Sequence, residues 1–214
     1  MRQKIKLVLK SMDMKRLFIF FLLICSNVYA SFEVAQVNFG IGMINSSFTE
    51  NPSGLKPSAG TKPEVVASGA VSTISGFIDY EKFLNSKISI VGKTTFPLIP
   101  ASTGSYMHVG GAMNYYFSPI ASSATFSSKD LKISFNPSWR YYAGGGLGGA
   151  YLIYNTLSAQ KTDTQIELFG QAGAIYNQSE RWGYRAEFIM ARGVGFNTSS
   201  MTMKILFGLC YLLN

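Results

Sequence analysis

The chain has 214 residues, 47% of them hydrophobic and 14% aromatic, but only 14% are charged, where an ordinary soluble domain carries about 25%. The aromatic content excludes intrinsic disorder, because such a chain has ample apolar area to bury. The shortage of charge argues against a wholly water-facing surface. A formal net charge of +8 suggests nucleic acid or an anionic surface as partner only until the basic residues are located along the chain.

Arg2, Lys4, Lys6, Lys10, Lys15 and Arg16 precede the apolar run 17–24, and Val28, Tyr29 and Ala30 follow it. This is the layout of a secretory signal peptide, since the run falls short of the roughly 20 residues of a membrane-spanning helix. Cleavage is expected after Ala30, leaving Ser31 first. The basic stretch is long for a leader, so Met12 or Met14 is the more ordinary translation start. An alternative, lipid attachment at Cys25, is disfavoured by Ile24, which stands where a small residue is usual. Loss of residues 1–30 removes six basic residues and one acid, which lowers the net charge to +3. The nucleic-acid reading goes with them. Cys210 is then the lone cysteine, so no intramolecular disulfide is expected.

From residue 31 onward the hydrophobic signal has period two, the mark of strands with one apolar face. Val37, Phe39, Ile41 and Met43 alternate with Gln36, Asn38 and Gly40. Met107, Val109, Gly111, Met113, Tyr115 and Phe117 alternate with His108, Gly110 and Asn114. Ile166, Leu168, Gly170, Ala172, Ala174 and Tyr176 alternate with Gln165, Glu167, Phe169 and Gln171. Trp182, Tyr184, Ala186, Phe188 and Met190 oppose Arg181, Arg185 and Glu187, and Met201, Met203, Ile205, Phe207, Leu209 and Tyr211 oppose Thr202, Lys204, Leu206, Gly208 and Cys210.

Such segments fall at about 32–44, 65–80, 86–98, 104–118, 132–154, 164–177, 181–193 and 199–213. They predict eight strands, separated by turn-forming residues, of which the longest run is 45–64. Residues 118–131 are long for a tight turn. They leave room for an extra hairpin, and ten is the next even count.

Parity alone does not say which face is inside, but three features point to a membrane barrel with its apolar face outward. The charge fraction is too low to solvate an exterior, and the polar faces are built from Gly, Ser, Thr, Asn and Gln. Aromatics gather at strand ends: Phe77, Tyr80, residues 115–117, residues 139–142, Tyr176, Trp182, Tyr184 and Tyr211. In an up-and-down tracing they lie at one boundary, where Tyr115, Trp139, Tyr141, Tyr176, Trp182, Tyr184 and Tyr211 read as an interfacial girdle. The longest connection falls on the opposite side, where long loops are expected.

With these features the chain resembles the small bacterial outer-membrane β-barrels, the class of the OmpA membrane domain and of the OmpX-like and OmpW-like proteins. The resemblance covers residues 31–214 and rests on pattern rather than on a family motif. It implies outer-membrane lipid and lipopolysaccharide as surroundings. It also implies insertion by the barrel-assembly machinery through the C-terminal strand, where Gly208, Tyr211 and Leu213 occupy the expected places. Leu206 departs from the polar residue usual there, and Asn214 extends past the final hydrophobic position.

Candidate chemistry is sparse. Gly144, Gly146 and Gly149 match a dinucleotide-binding spacing with Glu167 downstream, but that motif needs a following helix, and here period two continues. His108 is the only histidine, so a histidine metal cluster is unavailable, and its neighbours Val109 and Gly110 do not give the His-x-Ser pairing that the resemblance associates with lipid A deacylases. No cofactor or metal is expected. Carboxylates are scattered singly, at Asp79, Asp130, Asp163, Glu167, Glu180 and Glu187.

The most informative group is Arg140, Glu167, Arg185, Glu187 and Lys204, which lie with inward parity on four consecutive predicted strands. They predict an ion network filling the lumen, in which Glu167 and Glu187 pair with Arg185 and Lys204. Lys93, His108, Asn114 and Gln171 are expected to join them as polar lumen residues. An eight-stranded barrel is wide enough only for its own side chains, and buried charges are costly unpaired. The reading is a non-enzymatic, plugged barrel acting in the envelope through its outer loops. The alternatives are an OmpW-like conduit for small solutes and a lipid A-modifying enzyme centred on His108.

Overall fold

A computed structural model describes residues 34–50, 68–99, 104–119, 122–125, 132–135, 138–155 and 160–213. The predicted leader, Cys25 and most of the 45–64 connection lie outside them. The strands are β1 (Ala35–Glu50), β2 (Ser68–Phe83), β3 (Ile88–Ile99), β4 (Gly104–Tyr116), β5 (Ser122–Thr125), β6 (Lys132–Phe135), β7 (Trp139–Asn155), β8 (Gln160–Asn177), β9 (Trp182–Gly195) and β10 (Thr198–Leu213). Eight of them close into an antiparallel barrel in the order β1-β10-β9-β8-β7-β4-β3-β2. The closing pair β1–β10 runs from Ala35 opposite Leu213 to Glu50 opposite Thr198, so the sheet has no free edge along this seam.

Strands β5 and β6 form a separate two-stranded sheet within the connection from β4 to β7. The segment expected as one strand over 132–154 is therefore two, and the break coincides with the Asn136-Pro137 turn signal. The 118–131 region does contribute to a hairpin, but the hairpin adds no strand to the barrel.

The polarity is that of a transmembrane barrel. Ile41, Met43, Ile78, Met113, Leu147, Ile166, Leu168, Met203, Ile205 and Phe207 are exposed on the outside, while Asp79, Glu81, Lys93, Arg140, Glu167, Arg185, Glu187 and Lys204 are buried inside. At about 3.4 Å per residue and a tilt of about 40°, residues 201–211 rise by about 26 Å, which matches the apolar band of about 25 Å on such barrels. On β1 the outward residues beyond Met43 are Asn45, Ser47 and Thr49, and on β2 the outward residues before Ile74 include Ser72, so polar side chains succeed the band on that side.

Alternation holds within the aromatic runs. Tyr115, Trp139, Tyr141, Trp182 and Tyr184 are exposed, and Tyr176 and Tyr211 are half-buried. Their rings meet within and across strands: Trp139 stacks on Tyr141 of its own strand and touches Tyr176, and Trp182 contacts Tyr211 and Phe39. Phe77, Tyr116 and Tyr142, which share the strand-end aromatic groups, instead point inward and are buried. A bulge at the outer end of the β2–β3 pair places Ile74 opposite Ile99 and Ser75 opposite Pro97. Proline lacks the N–H a regular ladder would use, so it suits that irregular position.

Candidate functional site

The lumen is the candidate site, because the sheet turns its charges there and the register sets their depth. Near the end where β1 begins and β10 ends, Glu81 collects donors from four strands. Gln36 Nε2 donates at 2.6 Å, Tyr116 Oη at 2.8 Å, Asn114 Nδ2 at 3.2 Å and Arg185 Nη1 at 3.2 Å, and the Ser89 hydroxyl also donates. Arg185 reaches Glu187 at 3.0 Å and lies 3.9 Å from Asp79, with its guanidinium 4.9 Å from the centre of the Tyr142 ring. Lys93 joins Asp79 at 3.1 Å and Glu187 at 2.8 Å. Asn114 in turn accepts from Gln171 Nε2 at 2.5 Å.

A second group lies nearer the barrel's middle. Glu167 accepts from Tyr106 Oη at 2.5 Å, lies 3.7 Å from Lys204 Nζ and lies 3.8 Å from His108 Nε2. Lys204 also stands 4.8 Å over the Tyr106 ring. At the far rim Lys161 meets Glu50 at 2.7 Å, and Tyr154 donates to the same carboxylate at 3.2 Å, tying β8 and β7 to β1 across the mouth. Asp163 holds the β9–β10 turn by accepting from the backbone N–H of Thr198 at 2.8 Å and from its hydroxyl at 2.6 Å.

Apolar layers alternate with these polar groups. Phe83, Tyr116, Tyr142, Ile175 and Cys210 pack at the end where β1 begins and β10 ends. Phe77, Val91, Ala112, Phe169, Ile189, Ala191 and Leu206 separate the Asp79–Arg185 group from the Glu167 group. Ile44, Phe48, Val71, Tyr106, Ala150, Leu152 and Tyr154 close the other end. Close approach explains two glycines. Gly42 faces Leu206 across the β1–β10 pair, where a Cβ would strike the leucine, and a Cβ at Gly148 would collide with His108. The glycines at 144, 146 and 149 lie within β7, paired to β4 and β8, so no helix follows them as a nucleotide-binding loop requires.

Two pairings differ from the neighbouring-strand expectation. Lys204 stands with Glu167, not Glu187, because the register puts Leu206 opposite Glu187 and Lys204 opposite Ile189. Arg140 is not part of the ion network. Its Nη2 donates to Gln36 at 3.3 Å and to Asn177 at 3.4 Å, and no carboxylate lies within 4.0 Å among the described residues. The centre instead includes Asp79 and Glu81, so carboxylates that look scattered in the chain converge across the lumen. His108 is buried against Phe169 and beneath this packing, and neither ring nitrogen has a hydrogen-bond partner among the described residues.

No known protein family and no curated protein matches the sequence. Solved structures similar in architecture include Neisserial surface protein A, at 13% identity and a TM-score of 0.48, with 81% of this chain and 96% of that one covered. The N-terminal β-barrel domain of Pseudomonas aeruginosa OprF matches at 9% identity and a TM-score of 0.47, covering 80% of this chain and 97% of the domain. Ail, the attachment invasion locus protein of Yersinia pestis, matches at 13% identity and a TM-score of 0.41, covering 83% and 99%. These likenesses concern the fold alone.

Proposed function

We propose that this chain is a non-enzymatic protein of the bacterial outer membrane, in which a sealed barrel serves as anchor while the 51–67 connection and the outer strand rim meet the surroundings. The observation that carries this reading is the alternation of paired charges with three apolar layers inside a closed barrel. A conducting pore needs continuous polar lining, whereas here apolar clusters interrupt the buried charged groups. The exposed apolar band supports lipid as its surroundings, with lipopolysaccharide on the outer side. The aromatics at the other boundary are consistent with an interfacial girdle. Gly208, Tyr211 and Leu213 supply the strand recognised by the barrel-assembly machinery.

An enzymatic role at His108 is disfavoured by its burial, which leaves a lipid no approach to the ring. Reconstitution in planar bilayers tests the sealed anchor directly. The expected result is no steady conductance, and a stable open state would favour the conduit for small solutes. Lipid A composition should be the same in cells carrying the protein and in cells carrying His108→Ala; a modification lost with the histidine would establish the enzyme.

Export requires the leader, so the envelope protein is expected to begin at Ser31. Mass spectrometry of the membrane-inserted form reads this. Retention of residues 17–24, or lipid on Cys25, would move the anchor to the N-terminus and overturn the proposed processing.

A further inference from the structure

We propose that Arg140 holds a single halide-sized anion, chloride being the common one, at the mouth of the barrel where β1 begins and β10 ends. Arg140 is the second residue of β7 and only 2% exposed. The other three buried cations of the lumen, Lys93, Arg185 and Lys204, each have a carboxylate within 4.0 Å. Arg140 has none among the described residues, and its contacts are the neutral oxygens of Gln36 and Asn177 and the face of the Tyr116 ring at 5.4 Å. Its Nε and Nη1 have no hydrogen-bond partner among those residues, although both are buried.

A guanidinium cannot lose its charge at any physiological pH, and Arg140 is linked to a carboxylate through Gln36, which accepts from it and donates to Glu81, rather than by contact, so burial without a contacting anion is a cost that deprotonation does not relieve. Arg140 also lines a cavity, together with Gln36, Asn177, Arg181, Cys210 and Leu212. Its volume is about 10 Å³, close to the space of one water-sized sphere. That size excludes a carboxylate or phosphate group, and a chloride ion, somewhat larger than a water, fits where the cavity opens beside the exposed Arg181. Arg181, on the turn between β8 and β9, adds a second positive side chain to the lining, and the Arg140 N–H groups supply donors. A halide satisfies both the charge and the free donors, whereas a water would satisfy only the donors. Glu180, on the same turn, also lines the cavity and is the competing counter-ion, but it makes no ion pair with Arg140.

The test is thermal unfolding of the refolded full barrel in detergent micelles, in sodium chloride against sodium gluconate at equal ionic strength, so that general screening is held constant. A ligand that binds only the folded form raises the midpoint with its concentration. The midpoint should rise with chloride in the parent and in Glu180→Gln, and the dependence should be lost in Arg140→Gln. Equal midpoints in the two salts for the parent would overturn the site. So would a dependence that survives in Arg140→Gln, or one that appears only in Glu180→Gln, which would make Glu180 the counter-ion. Bromide-soaked crystals of the unaltered protein give a readout that does not depend on a variant folding. An anomalous peak in contact with Arg140 is expected, and a site without one contradicts the proposal.

Discussion

Replacing Arg185 with alanine is expected to destabilise the barrel by about 3–5 kcal/mol, the range for removing one partner of a buried charge pair. The residue lies within ion-pair distance of Glu81, Glu187 and Asp79. Its loss leaves Lys93 as the only cation within 4.0 Å of any of these three carboxylates among the described residues. Glu81 keeps five neutral donors, from Gln36, Asn38, Ser89, Asn114 and Tyr116, and can absorb part of the loss. Asp79 cannot, since its Oδ1 already lacks a partner among the described residues. Urea unfolding in lipid vesicles, followed by tryptophan fluorescence, measures the change. A loss below about 1 kcal/mol would put the pair in the range of solvent-exposed bridges and mean that the lumen is freely hydrated. A double-mutant cycle refines the assignment. Arg185 and Glu187 should couple, whereas Glu187 and Lys204 should be nearly additive, because Lys204 serves Glu167.

The second large effect is on the outside. Ile205→Arg should cost about 2–4 kcal/mol, as expected for arginine on the lipid face near the bilayer midplane. Ile205 is exposed and flanked in register by Met43 on β1 and Phe188 on β9, so the substituted side chain meets only apolar neighbours on both sides. Thr49→Arg lies on the same outward face of β1 but beyond the apolar band, and should stay within about 0.5 kcal/mol. Leu206 is no harmless inward control: it is buried in the middle apolar layer opposite Gly42, so an arginine there would be both crowded and unpaired. Vesicle folding yields for the three variants check the ordering, and equal tolerance of arginine at 49 and 205 would contradict the position of the band.

Parity made the barrel legible because the side-chain period of a strand is two, so each segment announces both of its faces. The same logic placed Arg185, Glu187, Glu167 and Lys204 inward. It failed to centre the network, because sequence reasoning pairs a residue with its neighbouring strands, whereas Arg185 on β9 reaches Glu81 on β2, three strands away around the seam through β10 and β1. A signal was present: Asp79 and Glu81 alternate with Ile78 and Tyr80 just as Arg185 and Glu187 alternate with Tyr184, Ala186 and Phe188. The fusion of β6 and β7 into one expected strand had a different cause. Ile133, Phe135, Trp139 and Tyr141 keep one period-two parity across the Asn136-Pro137 turn signal and so masked it. Arg140 was misjudged because parity reports which face a side chain takes and says nothing of whether a counter-charge stands at the same depth.

The inverted polarity of the barrel is the claim on which the rest stands, and spin labels placed singly from Met201 to Leu209 on β10 test it. In folded protein reconstituted into bilayers, collision with oxygen reports lipid exposure. The account predicts high oxygen accessibility and mobile labels at 201, 203, 205, 207 and 209, where the side chains face outward, and low accessibility with immobilised labels at 202, 204, 206 and 208. The opposite phase, or accessibility without a period of two, would contradict it.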